Sequence, residues 1–298
     1  MPSPQHEAIV HYLLNAQAPA DPTLAELREG YDQNLLAFTP VEGTTVSTES
    51  ADGIRVDLVT APGADPERHV LFVHGGGFVL GSAEAYREFA SRISAATKAR
   101  VAVVDYRRAP EATAPAALDD SLTAYRWLLA RGADPARTAL AGDSGGGGLA
   151  LLLAARIAAA GLPAPAAVVA FSPWIDISFR PDMPDERESD DPMLTVAYLR
   201  WLAATYLAGA AADDPAHNAL FADLTGLPPV LLQTGTRDLT HQDSVVFAKR
   251  AEEAGVEVVL DVYPELIHDW HAFGPDLPEG QEALARVGDF LAKRLASG

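Results

Sequence analysis

The chain has 298 residues, close to the upper size that one hydrophobic core supports, so one large domain is expected over two small ones. Hydrophobic residues make up 48% and charged residues 21%, the balance of an ordinary globular protein, which excludes a disordered or collagen-like chain. Its 22 Lys and Arg stand against 41 Asp and Glu, a formal charge of −19 with lysine only at Lys98, Lys249 and Lys293; without a basic run, neither nucleic acid nor an anionic membrane surface is an expected partner.

Cysteine is absent, which removes disulfides, thiolate nucleophiles and Cys-based metal sites together. The N-terminal stretch MPSPQHEAIV lacks the basic and long apolar regions of a signal peptide. The longest apolar stretch, residues 149–160, is interrupted by Arg156 and is too short to span a bilayer. A soluble cytoplasmic location is the expectation.

In chain order, residues 5–16 and 22–37 read as two amphipathic helices, with Asp21 and Pro22 at the cap and first position of the second. Alternating Thr- and Val-rich segments follow at 44–50 and 54–60, split by Ala51, Asp52 and Gly53, the signature of a hairpin. From residue 69 the pattern changes to short apolar runs, at 69–73, 100–104, 138–142, 167–171, 229–234 and 256–263. Helical patterns at 84–97, 117–131, 145–160 and 241–254 separate them, and one at 280–296 closes the chain. Continuous apolar strands alternating with helices predict a mostly parallel α/β sheet, with the hairpin as an antiparallel edge. Residues 173–228 break the alternation with several prolines, an acidic run at 182–191 and an apolar helix near 194–208. An interval that long is expected to be a binding element, and together with residues 1–40 it reads as a cap over the sheet.

Gly142-Asp143-Ser144-Gly145-Gly146 matches G-x-S-x-G between an apolar strand and a helix. Small neighbours let a serine sit on a sharp turn with its hydroxyl exposed, so Ser144 is the candidate nucleophile. The string GDSGGG also occurs in chymotrypsin-type proteases, but an all-β disulfide-bonded fold does not fit this pattern. After the strand at 69–73 comes His74-Gly75-Gly76-Gly77-Phe78, where consecutive glycines allow main-chain N–H groups to approach an oxyanion. Gly76, Gly77 and Gly145 are the expected oxyanion hole, and His74 a structural residue of that loop. A base and its orienter are expected after late strands, which selects Asp238 and His268 over Asp243, placed on a following helix, and His271. The pair His268 and His271 has the spacing of two metal ligands, but no third ligand with telling spacing accompanies it, so no metal is expected.

The stretches HGGGF (74–78), DYRRAPE (105–111), GDSGGGG (142–148), SPWID (172–176), GTRD (235–238) and HDWHAF (268–273) resemble those of the hormone-sensitive-lipase-like branch of the α/β-hydrolases, the bacterial family IV esterases. GTRDL and IHDWHAF look closest to members of the monoterpene ε-lactone hydrolase type. The resemblance implies an α/β-hydrolase fold with a roughly eight-stranded, mostly parallel sheet, a helical cap and carboxylester hydrolysis without a cofactor. The sequence departs from the family at three places. Gly145 stands where many relatives have alanine, Asp238 to Asp243 do not follow D-P-L-x-D-E, and Asp269 replaces the usual glycine, setting a carboxylate beside the base.

The expected activity is hydrolysis of short- to medium-chain esters, or of lactones, with Phe78, Trp174, Tyr198 and Trp201 expected to contact the substrate. Acyl transfer to an alcohol would use the same triad. A non-catalytic ligand-binding protein on this fold is the alternative of another class, disfavoured because all three triad members are present. A small ester is the expected partner, and the oligomeric state, a homodimer included, is left open.

Overall fold

The hairpin comes out as read. In the computed structural model, which describes residues 1–16, 21–179 and 190–295, β1 (Thr45–Ala51) and β2 (Ile54–Thr60) pair antiparallel across a turn in which Asp52 and Gly53 take positive φ, 51° and 94°. Two positive-φ residues give a turn whose twist matches that of the strands it joins. The apolar runs form β3 (Asp65–Val73), β4 (Ala99–Asp105), β5 (Thr138–Asp143), β6 (Ala167–Phe171), β7 (Val230–Gly235) and β8 (Val258–Tyr263). The eight strands make one sheet in the order β1-β2-β4-β3-β5-β6-β7-β8, antiparallel through β2 and parallel from β4 onward.

Period-two alternation sorts the strand residues into two cores. Leu71, Val73, Ala102, Val104, Leu140, Val168 and Leu232 pack with α4 (Ala116–Ala130), α5 (Ser144–Ala159) and α7 (His241–Glu253). Val70, Phe72, Val101, Val103, Ala141, Val169, Phe171 and Leu231 pack on the other face with α3 (Arg87–Thr97) and α8 (Pro278–Ala292). Each fully buried Val, Leu or Phe contributes about 1.5–3 kcal/mol, and β5, β6 and β7 are buried along their whole length. This is why the central strands read as unbroken apolar runs.

Of the proposed cap, α1 (Pro4–Asn15), α2 (Leu24–Leu36) and α6 (Val196–Leu207) are described, whereas most of the acidic run lies outside the described residues. The second helix starts two residues later than the sequence suggested. Thr23, not Asp21, caps it: the Glu26 N–H donates to Thr23 Oγ1 (3.3 Å) and the Thr23 N–H to Glu26 Oε2 (2.8 Å). This capping box satisfies two otherwise orphaned donors, while Asp21 takes a positive φ of 53° ahead of it. From α2, Arg28 donates to the carbonyls of Val79 (2.9 Å) and Ala109 (2.8 Å) and pairs with Glu111 (2.7 Å). On α1, Ser3 Oγ donates to Glu279 (2.8 Å) and the buried His6 Nε2 accepts from the Ile267 N–H (3.4 Å). Among the described residues no helix is long and apolar enough to cross a membrane.

The tightest packing lies where α5 leaves β5. A Cβ on Gly146 would come within 2.2 Å of the Val73 carbonyl and 2.3 Å of the His74 carbonyl, both backbone atoms that cannot rotate away. A Cβ on Gly145 would meet only the Phe78 ring, at 3.1 Å, and the Gly77 Cα, at 3.2 Å. Gly146→Ala should therefore lower stability by about 3 kcal/mol, overriding the ~1 kcal/mol that alanine gains over glycine in a helix. Gly145→Ala should stay within about 1 kcal/mol of the parent protein. Urea unfolding of the two variants checks the order, and equal midpoints would contradict this packing account.

Candidate active site

Ser144 follows β5 directly, at the first position of α5, with φ of 50°. A non-glycine residue there is strained, and the glycines on either side leave room for the turn: a Cβ on Gly142 would lie 2.2 Å from the Gly146 carbonyl. Asp238 follows β7 and His268 follows β8, so three segments far apart in sequence reach the same C-terminal edge of the sheet. His268 Nε2 is 2.9 Å from Ser144 Oγ, and His268 Nδ1 is 2.9 Å from Asp238 Oδ1. All three side chains are buried. The same Asp238 oxygen accepts from the Thr240 N–H (2.7 Å) and hydroxyl (2.8 Å), which orients the carboxylate toward the ring.

Electrostatics follow this geometry. Burial works to raise the Asp238 carboxyl, but His268 and the Thr240 hydrogen bonds outweigh it and hold Asp238 below its ordinary range. Burial works to lower the His268 imidazole, and Asp238 and then Asp269 outweigh it and push His268 well above its ordinary value. Such an arrangement stabilises an imidazolium, the charge that forms when histidine takes a proton from serine.

The rival residues have other partners. Asp243 Oδ2 accepts from the Ile175 (3.1 Å) and Asp176 (2.9 Å) N–H groups, pinning the start of the 173–228 interval. His271 packs against Trp270 and Phe171, and burial pushes its ring well below the ordinary histidine value. Among the described residues no group of three or more His, Asp and Glu side chains is arranged to hold a metal ion. His74 is buried and stacked on Tyr106 at 4.2 Å, with its Nδ1 2.9 Å from the Gly75 carbonyl, and burial lowers it to about 4. It holds the loop as a neutral ring.

The glycine loop lies against the elbow. Gly76 and Gly77 have φ of 95° and 57°, and the Gly77 Cα is 3.2 Å from where a Cβ on Gly145 would be. Phe78 stacks on Tyr206 (4.1 Å) and Trp174 (5.5 Å), and the Trp174 N–H donates to the Ser144 carbonyl (2.9 Å), so both rings are buried packing around the elbow. Tyr198 and Trp201 stack on each other on α6, with Trp201 39% exposed and thus turned toward the surface. Leu202, absent from the sequence reading, is the α6 residue that covers Gly77: a Cβ there would meet its Cδ1 at 2.6 Å. Asp143 was also missed. Its Oδ1 accepts the Gly75 N–H (2.8 Å) and its Oδ2 the Tyr86 hydroxyl (2.6 Å), which in turn is 2.7 Å from the Tyr31 hydroxyl on α2. Burial, with the nearby Asp269 carboxylate adding to it, pushes Asp143 well above the ordinary carboxylate range. Its place between two motif residues was visible, but the loop it receives comes from 68 residues earlier in the chain.

Comparison with known proteins agrees with this architecture. The family model of the alpha/beta hydrolase fold matches residues 70–272. An acetyl-hydrolase of Streptomyces hygroscopicus is 38% identical, over 91% of this chain and 90% of its own. A crystal structure of an esterase from the bacterial hormone-sensitive lipase family superposes with a TM-score of 0.92 at 36% identity, covering 99% of this chain and 100% of that one. The esterase EstE5, in crystals soaked with p-nitrophenyl butyrate, gives a TM-score of 0.93 at 36% identity with the same coverage. The chain therefore belongs to the hormone-sensitive-lipase-like esterases of the α/β-hydrolase fold, and it is a carboxylic ester hydrolase.

Proposed function

We propose that the protein hydrolyses short- to medium-chain carboxylic esters through an acyl-enzyme, with Ser144 as nucleophile, His268 as general base and acid, and Asp238 as orienter. The observation that carries this reading is the unbroken line Ser144 Oγ–His268 Nε2 and His268 Nδ1–Asp238 Oδ1, each 2.9 Å. Oγ attacks the ester carbonyl as Nε2 accepts its proton, and Asp238 stabilises the imidazolium. The N–H groups of Gly76, Gly77 and Gly145 receive the oxyanion. His268 then gives its proton to the departing alkoxide, leaving the acyl group on Ser144. A water delivers its proton to the same nitrogen, adds to the acyl carbon, and collapse of that adduct frees the acid and restores the serine.

The substrate range follows from the cap. Leu202 over Gly77 and Phe78 beside Gly145 put apolar groups next to the reacting carbonyl, and α2 and α6 belong to the proposed roof. A closed apolar pocket admits an acyl chain of finite length, each methylene gaining about 0.8 kcal/mol until a wall is reached. The relative named for acetyl hydrolysis and the related esterase soaked with p-nitrophenyl butyrate support the same small scale.

Ser144→Ala should remove roughly 10³-fold or more of kcat while the protein keeps its melting behaviour. Asp238→Asn should lower kcat/KM far more than Asp243→Asn, and His268→Ala more than His271→Ala; a reversed order in either pair would show that a different carboxylate or ring serves the serine. On p-nitrophenyl esters from acetate to palmitate, kcat/KM should peak at acyl chains of about four to eight carbons. Efficient palmitate turnover would sink the closed-pocket account.

A further inference from the structure

Next to the proposed base stands a carboxylate that the mechanism does not use. Asp269 Oδ2 is 3.2 Å from His268 Nε2, the same nitrogen that faces Ser144 Oγ at 2.9 Å. The carboxylate is held there by its backbone. Asp269 takes a left-handed conformation (φ 49°, ψ 33°), and its N–H donates to Ser172 Oγ (3.1 Å), while the Ser172 N–H is tied to the Gln233 carbonyl (2.7 Å) of β7. Its side chain is 10% exposed, and its second oxygen, Oδ1, is buried with no hydrogen-bond partner among the described residues.

A neutral imidazole that donates Nδ1–H to Asp238 has one lone pair, at Nε2. That lone pair can accept one proton, and for catalysis it must be the serine's. An ionised Asp269 offers only lone pairs of its own, so at 3.2 Å the contact is repulsive unless a proton lies between the two atoms. A proton placed there, on Nε2 or on Oδ2, turns repulsion into a charge-assisted hydrogen bond. It also offsets the cost of a buried carboxylate whose other oxygen has no donor.

We propose that Asp269 is a positioning residue that competes with Ser144 for Nε2 of His268, so that the resting enzyme holds one extra proton between Asp269 and the imidazole and must lose it before Ser144 can be deprotonated. The proposal rests on the reading of Ser144 and His268 given above and adds a protonation step before the chemistry.

The surroundings favour retention of that proton. Asp238 after β7 and Asp191 in the segment before α6 bring negative charge toward His268, whereas burial favours the neutral form of Asp143 at the elbow. Tyr86 and Tyr31, facing Asp269 from the α3 and α2 side, are held in their neutral forms by burial. His271 is kept neutral by burial too, and Arg92 of α3 is already paired with Glu88 at 2.7 Å. The two groups titrate as one unit. The shared proton is lost as pH rises through an ionisation above the ordinary imidazole range, so activity is gained on the alkaline side.

Asp269→Gly and Asp269→Asn both remove the charge, and both residues tolerate the left-handed backbone at this position. In kcat/KM for p-nitrophenyl butyrate followed between about pH 5 and 9, the acid limb of both variants should move down by one unit or more. That shift makes them roughly tenfold faster, relative to their own plateaus, below the parent's limb. In parallel, the imidazole of His268, assigned by its loss in His268→Gln, should stay doubly protonated in nitrogen-15 NMR spectra of the resting enzyme well above pH ~6.5, and should titrate lower in Asp269→Gly. An unmoved limb with a uniform loss of rate at every pH, or a His268 titration that ignores the carboxylate, would overturn the proposal. Full activity in Ser144→Ala would instead overturn the underlying mechanism, and the NMR titration would still report whether Asp269 and His268 share a proton.

Discussion

The constraint on which the site depends is the close approach of β3 and α5 at the end of β5. Gly146 brings the helix backbone so near to Val73 and His74 that no side chain fits between them. The serine on the elbow and the glycines after β3 are thereby held against each other, with Gly77 in contact range of Gly145. Asp143 locks the same junction from below, receiving the Gly75 N–H and the Tyr86 hydroxyl on separate oxygens. The proposed oxyanion hole, drawn from two distant segments, needs such a junction, because donors a fraction of an ångström out of place lose most of their advantage in the transition state.

The junction also reaches α2, a helix of the proposed cap. Tyr31 lies on α2 and meets the Tyr86 hydroxyl, so a short hydrogen-bonded chain runs from that helix to the carboxylate that receives the Gly75 N–H of the glycine loop. Arg28, one turn away on the same helix, satisfies the carbonyls of Val79 and Ala109 and grips Glu111. The stretch DYRRAPE has a physical role here beyond its value as a motif. Tyr106 stacks on His74 and donates to its carbonyl, Arg107 pairs with Asp120, and Arg108 reaches the Gly81 carbonyl, so this stretch holds both ends of the glycine loop.

Much of this was legible in the sequence, for identifiable reasons. Strands buried on both faces are mostly apolar, so β4 to β7 announced themselves as runs despite buried polar residues such as Thr138 and Gln233, and the elbow glycines are required by local geometry that a short motif captures. The order of serine, aspartate and histidine after β5, β7 and β8 pointed to Asp238 and His268, the pair that the structure brings to Ser144. What remained hidden depends on contacts between remote segments. Leu202 lies on a helix whose apolar residues give no sign of which one will meet Gly77, and the Asp143 clamp becomes visible only once β3 and β5 are adjacent. The start of α2 was misplaced because Asp21 and Pro22 imitate a helix start, whereas the reciprocal pair Thr23 and Glu26 is the one that forms it. Asp269 was noticed as a charge beside the base, but its approach to Nε2 depends on a left-handed backbone that the sequence does not declare.

The central claim is that Ser144 carries the acyl group during turnover. The direct measurement is to quench the enzyme in acid during steady-state hydrolysis of p-nitrophenyl butyrate and map the modified peptide by mass spectrometry. A butyryl adduct on the peptide containing Ser144, lost on replacement of that serine by alanine, is the predicted result. An adduct on another residue, or full turnover in a chain that never carries one, would contradict the account.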